Sequence, residues 1–237
     1  LSIPGFDAIF RIAVTDCPIV VEAYRMKRTL AFFFVMIGAL LAPAGPAAEA
    51  RHLFTQNEFM TAESLDPGMT QTGIHFTLAD HSKSYYPSVR YGMGAMMEFG
   101  VKFGATSVRV PGSDEKLGAL IGLDLKYQLV KEAEGIPLDL SVDLGFDNTI
   151  INSKNASEVT FATIVSKSFA LTDRGYKLIP YGGLAMSALY GSLPESNKTF
   201  VNGFAGLEWK LSQKFMVLLE LKAGDKMTGG AGIRFEY

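Results

Sequence analysis

The sequence predicts an all-β fold: an antiparallel, up-and-down barrel of about ten strands that crosses a membrane, with eight or twelve as alternative counts. Three observations predict it. Apolar and polar residues alternate with period 2 in one segment after another, from residue 72 to the end of the 237-residue chain. No stretch after residue 50 approaches the ~20 apolar residues of a spanning helix. Residues 26–50 read as an export signal. Lipid cannot satisfy the open edge of a sheet, so an exported membrane chain without such helices must close into a barrel.

The signal comes first along the chain. Lys27 and Arg28 form its basic region, Leu30 to Leu41 its apolar run, and Ala48 and Ala50 the small residues of a cleavage site. A membrane anchor or buried helix is the alternative, and the run is short for either. A secretory signal works from the N-terminus, so Met26 is the expected start and residues 1–25 an upstream extension. That extension holds the one cysteine, Cys17. The exported part, 51–237, then has no disulfide or thiolate site. Residues 51–67 show no period and are expected to form a periplasmic N-terminal arm, with the barrel proper over 68–237.

Ten strand-like segments follow. Thr72 to Ala79 puts Ile74, Phe76 and Leu78 on one face. Tyr85 to Met93 sets Pro87, Val89, Tyr91 and Met93 against Ser88 and Arg90. Met96 to Thr106 sets Met97, Phe99, Val101 and Phe103 against Glu98 and Lys102. Leu117 to Val130 sets Ala119, Ile121, Leu123, Leu125 and Tyr127 against Gly122, Asp124, Lys126 and Gln128. Leu138 to Asp147 sets Leu140, Val142, Leu144 and Phe146 against Asp139, Ser141 and Asp143. Glu158 to Ala170 and Leu178 to Tyr190 alternate too poorly for their faces to be assigned, and Pro180 is expected at the start of its strand. Phe200 to Leu211 sets Val201, Ala205, Leu207 and Trp209 against Asn202, Glu208 and Lys210. Phe215 to Ala223 sets Val217, Leu219 and Leu221 against Glu220 and Lys222. The last strand, Met227 to Tyr237, sets Ile233, Phe235 and Tyr237 against Arg234 and Glu236.

The connections after the second and eighth segments are short. Those after the first, third, fifth and seventh are polar and mostly longer, among them 148–157 and 191–199. Short periplasmic turns with longer external loops are the expected pattern, with both chain ends in the periplasm. The aromatics Tyr85, Tyr127, Trp209, Phe215 and Tyr237 would mark the membrane interfaces.

The terminal strand, with Ile233, Phe235 and a final aromatic Tyr237, resembles the closing strand of bacterial outer-membrane β-barrel proteins. In that family this strand is the signal read by the barrel assembly machinery. The hairpin Pro87-Ser-Val-Arg-Tyr-Gly-Met-Gly-Ala-Met-Met-Glu-Phe-Gly-Val101 resembles one in outer-membrane proteins grouped with aromatic-compound transport. The resemblance implies a Gram-negative outer membrane reached by the Sec route. It also implies contact with lipid and lipopolysaccharide, and a monomer. A soluble periplasmic lipocalin-like binding barrel is the alternative, because alternation alone does not say which face points inward.

The polar faces carry six basic groups (Arg90, Lys102, Lys126, Lys210, Lys222, Arg234) and seven acidic ones (Glu98, Asp124, Asp139, Asp143, Glu208, Glu220, Glu236). A pore for one sign of ion would bias that ratio. Near-balance predicts a closed, salt-bridged lumen, or a narrow passive channel for small molecules lined by the same residues. No basic stripe suggests nucleic acid, with a net charge of −2. No cofactor motif or metal-ligand spacing is present. The three histidines are His52, His75 and His81. His81 lies among Asp80, Ser82 and Ser84, which leaves a rim enzyme as the alternative of another class, of omptin-like protease or lipid A deacylase type. The expectation is nevertheless no enzyme and no catalytic residue. On the fifth segment a basic residue at Leu140 should hinder folding into lipid, and one at Ser141 should be tolerated.

Overall fold

In the computed structural model ten strands close on themselves, each hydrogen-bonded to two antiparallel neighbours. Residues 58–79, 81–94, 96–109, 115–132, 136–171, 176–192, 197–224 and 227–237 are described. The strands are β1 (Thr70–Ala79), β2 (Ser82–Gly94), β3 (Met97–Arg109), β4 (Glu115–Val130), β5 (Asp139–Ile151) and β6 (Lys154–Ser166). There follow a two-residue strand β7 (Phe169–Ala170), then β8 (Lys177–Gly191), β9 (Lys198–Lys210), β10 (Phe215–Ala223) and β11 (Met227–Glu236). Neighbours in sequence pair in order, and β1 pairs with β11. β6 pairs directly with β8, while β7 adds a short ribbon to the end of β8. The seam is locked by a reciprocal pair of 2.9 Å bonds between the main chains of Thr70 and Tyr237.

Pro180 explains why β7 exists. It is the fourth residue of β8, not its first, and it has no N–H to give. The β6–β8 ladder ends one residue away, at Ser166 opposite Tyr181. Beyond it the Pro180 carbonyl accepts from Lys167, and β7 pairs with Leu178 and Lys177 instead.

The strands outrun the expected loops. A strand tilted at ~45° crosses the bilayer core in about 9–11 residues, whereas β4 has 16 and β8 has 15. The polar run 148–157 is therefore not a long loop. It is the continuation of β5 and β6, joined by a two-residue turn in which Asn152 (φ 49°) and Ser153 (φ 62°) take the left-handed conformations of a tight hairpin. β1 and β2 are likewise separated only by residues 80 and 81. At the other end, where Thr70 and Tyr237 lie, residues 131–138 separate β4 from β5, so the expected contrast in loop length does not hold. The reason is physical. Where both faces of a strand are wet, polar composition no longer marks a loop.

The barrel wears its apolar side chains outside. Ile74, Phe103, Ile121, Leu144, Leu184, Val201 and Leu219 are each more than half exposed. Tyr91, Tyr127, Trp209 and Tyr237 lie outward near the terminal end, with Phe215 against Phe235 at 5.0 Å between ring centres. Among the described residues no helix is long and apolar enough to cross a membrane.

Candidate functional site: the filled lumen

Alternation carries the opposite residues inward. All thirteen charged residues expected on the inner face point there: ten are buried, and Lys102 is part of the inner network, while Lys210 and Glu236 flank the terminal mouth. That is a total of six basic and seven acidic groups, and Asp147 and Glu158 join the acidic side. Asp147 continues the face of Asp139 and Asp143 on β5, at the limit of the fifth segment, and Glu158 stays hidden because β6 is apolar on both faces. Val159, Phe161 and Val165 point out, yet Ala156, Ala162 and Ile164 point in. β8 repeats this, with Leu184 and Met186 outside and Ile179, Ala185 and Leu189 inside.

The residues expected in a periplasmic arm account for those apolar inner faces. The described part is residues 58–67: 58–65 run inside the barrel, and the chain emerges at Asp66 and Pro67, which are exposed. Met60 and Ala62 pack against Ala162, Ile164, Tyr181, Ala185 and Phe204. Phe59 packs with Tyr86, Leu120 and Leu218, and its ring lies 5.0 Å from that of His75. Nothing in 51–67 signalled this, because a segment surrounded on all sides needs no periodicity. Residues 51–57 lie outside the described part, as do the signal, Ala48, Ala50 and residues 1–25.

The wall holds the arm chiefly by its main chain. Glu220 accepts from the N–H groups of Glu58 (2.7 Å) and Phe59 (2.6 Å), and its Oε2 also takes the Tyr181 hydroxyl at 3.0 Å. Ser166 Oγ accepts from Ala62 N–H at 3.0 Å, Gln128 from Ser64 N–H at 3.0 Å, and Glu98 from Leu65 N–H at 3.1 Å. Lys126 donates to the carbonyls of Thr61 (3.0 Å) and Glu63 (2.8 Å). Lys222 pairs with the Glu58 carboxylate at 2.7 Å.

Two glycines make room. A Cβ on Gly92 would stand 2.2 Å from the Asp66 carbonyl oxygen, and one on Gly230 would stand 2.2 Å from the Phe59 ring. Neither has space for any other residue without moving the arm.

The remaining charges neutralise one another across strands. Arg90 binds both Glu98 and Asp124, and Lys126 reaches Glu98 at 3.0 Å. Lys102 pairs with Asp147 at 2.8 Å, Arg234 with Glu208 at 3.7 Å and Lys210 with Glu236 at 3.8 Å. Removing one partner of such a pair leaves a buried charge unsatisfied, which costs about 3–5 kcal/mol. His75 lies inside this network, with Nε2 2.9 Å from Ser88 Oγ and its ring stacked on Tyr86.

Little space is left. A 30 Å³ cavity, enough for about one water, lies between Arg90, Asp124, Asp143, Asp147 and Glu158. Asp143 presents both carboxylate oxygens there without a hydrogen-bond partner. A second gap of 60 Å³ lies at the foot of the arm. Toward the other end Val108, Ile151, Ala156, Leu189 and Phe200 meet in a buried apolar cluster across the bore.

The rim constellation does not assemble as the sequence suggested. His81 lies at the rim, but Ser82 and Ser84 turn inward, and Ser84 donates to Thr106 at 2.9 Å. Asp80 lies outside the described residues. Glu115, near His81, engages Ser107 and Arg109. Among the described residues no group of three or more His, Cys, Asp and Glu is placed to hold a metal.

No family model matches the chain, and no curated protein does. Solved structures do resemble it. The N-terminal β-barrel domain of OprF from Pseudomonas aeruginosa is similar at 14% identity and a TM-score of 0.36, over 73% of this chain and 100% of that one. An outer membrane channel from Pseudomonas putida F1 is similar at 11% identity and 0.44, over 78% of this chain and 100% of that one. The β domain of the Bordetella autotransporter BrkA is similar at 11% and 0.45, over 71% and 98%.

Proposed function

We propose that this barrel resides in a bacterial outer membrane and acts passively, as a structural barrel with a narrow small-molecule route that its own N-terminal segment keeps shut. The observation that carries the membrane reading is its polarity. Large apolar side chains are exposed all round the wall while Lys126, Lys222, Glu98 and Arg234 are buried within. A soluble lipocalin-like barrel needs the reverse, since water would face Ile74, Leu184 and Val201. The passive reading rests on the lumen. Most of its charges are paired with one another or with the arm, Asp143 being an exception, and withdrawal of residues 58–66 would leave a bore lined by those charges.

In this reading Thr70 and Tyr237 lie on the periplasmic side, where Sec export delivers the chain. Ile233, Phe235 and Tyr237 then face lipid as the strand offered to the barrel assembly machinery, and the monomer contacts lipopolysaccharide at its opposite rim. No described contact of His81 favours the enzyme alternative.

Cell fractionation with a heat-modifiability gel tests the location. Recovery from the outer membrane with a mobility shift on boiling is expected, and a soluble periplasmic protein with no shift would overturn it. Planar-bilayer recording tests the route. The native chain should be mostly silent, and the double variant Glu58→Lys, Phe59→Asp should conduct steadily. Silence from both would leave a purely structural barrel.

A further inference from the structure

The arm's contacts describe a binding site in their own right. Five strand side chains, from β3, β4, β6 and β10, address seven main-chain groups of residues 58–65: five N–H donors and two carbonyls. Hydrogen bonds to the backbone do not read sequence. They fix a backbone path instead: Phe59 takes a left-handed φ of 47° and the chain bends at Ala62 and Glu63. Selectivity comes from three side-chain positions. Lys222 meets an acidic residue, the space at Gly230 takes an aromatic ring, and the faces of β6, β8 and β9 take Met60 and then Ala62.

We propose that the inner wall is a receptor for short peptides bearing an acidic residue followed by an aromatic, with small or apolar residues one and three positions after it. The segment 58–65 is the resident ligand, and a free peptide of the same pattern binds the same wall once the resident is displaced. This goes beyond the passive reading and does not rest on it, since binding requires a folded barrel and not a conducting one. Tethering through Pro67 to β1 gives the resident an effective concentration of about millimolar, so an untethered competitor should fail against the native chain.

The test uses the full chain in detergent micelles and a labelled, acetylated peptide of sequence Glu-Phe-Met-Thr-Ala-Glu-Ser-Leu-Asp, matching residues 58–66. The Glu58→Lys, Phe59→Asp variant should bind this probe at least about tenfold tighter than the native chain does. Methylating the probe at the nitrogens equivalent to Phe59 and Ala62 removes two of the wall's bonds and should weaken binding about tenfold or more. Exchanging its threonine for valine should leave binding within about threefold, since the wall takes the carbonyl of that residue and not its hydroxyl. Equal binding of the methylated and unmethylated probes would overturn the proposal, as would no binding to the variant.

Hydrogen exchange on the native chain decides the matter even where the variant fails to fold. The amides of Glu58, Phe59, Ala62, Ser64 and Leu65 should be protected, and Glu220→Gln should speed exchange at Glu58 and Phe59 far more than at Leu65. Amides exchanging at the rate of a free peptide would overturn the site. If the probe binds while bilayer recording stays silent, the receptor stands and the route falls.

Discussion

The two halves of the wall hold the same arm by different means. The β3–β5 side presents Glu98, Asp124, Lys126, Gln128 and Asp143 to the interior and alternates cleanly with outward apolar residues. The side of β6, β8, β9 and β10 presents Ile164, Tyr181, Phe204, Met216 and Leu218 inward, each almost fully buried. A polar wall can face water or an arm equally well. An apolar inner wall can face only something apolar, and here that is Phe59, Met60 and Ala62. Alternation therefore fails where the barrel has an internal partner, and the failure is itself informative.

The largest expected effect attacks the apolar side. Phe204→Ala removes a fully buried ring that touches the arm's pocket and should cost about 3–5 kcal/mol in urea titrations of vesicle-inserted protein. In the Glu58→Lys, Phe59→Asp background the cost should fall, because the ring no longer has the arm to cover it. An unchanged cost would mean that the two sides do not differ as described.

Next come two neighbours on β5. Leu144 points outward at 54% exposure near the middle of its strand, so in the membrane reading Leu144→Arg should cost about 2–4 kcal/mol in the same titration. At Gly145 a Cβ would sit 3.8 Å from its nearest atoms, so Gly145→Ala should stay within about 0.5 kcal/mol. This pair replaces the Leu140 and Ser141 comparison drawn from sequence. Leu140 lies one residue from the strand's start, and Ser141 is fully buried under Gln128 and Ile164, where an arginine has no room. A damaging Gly145→Ala beside a harmless Leu144→Arg would reverse the polarity of the barrel.

The smallest effect isolates one main-chain contact. Ser166→Ala removes the acceptor of the Ala62 N–H and should cost about 0.5–1.5 kcal/mol. Exchange at Ala62 should quicken while that at Ser64, held by Gln128, does not. Uniform quickening along the arm would show that it is released as a unit.

Strand number, order and the inward charges were legible because most strands turn an apolar side outward and a polar side inward. Arg90, Lys126 and Glu220 could be placed inside without knowing what they hold. What they hold was not legible. Residues 58–67 carry no period, since contacts on every side impose none. Asp147 stayed unassigned because it stands at the limit of the fifth segment, and Glu158 because β6 carries apolar residues on both faces. Inward Phe204 and Leu218 could have raised the question. An aromatic or a leucine on the face shared with Asn202 or Glu220 implies a covering segment, and the only unassigned part of the exported chain was the arm.

The filled bore also limits what can share it. The gaps left beside the arm measure 30 and 60 Å³, room for a water or two each. A phenylalanine side chain does not fit beside the seated segment, so a guest in the bore and the segment itself exclude one another. Occupancy of the interior is thus an exchange, one chain for another, and the barrel can be empty, self-filled or guest-filled but never doubly filled.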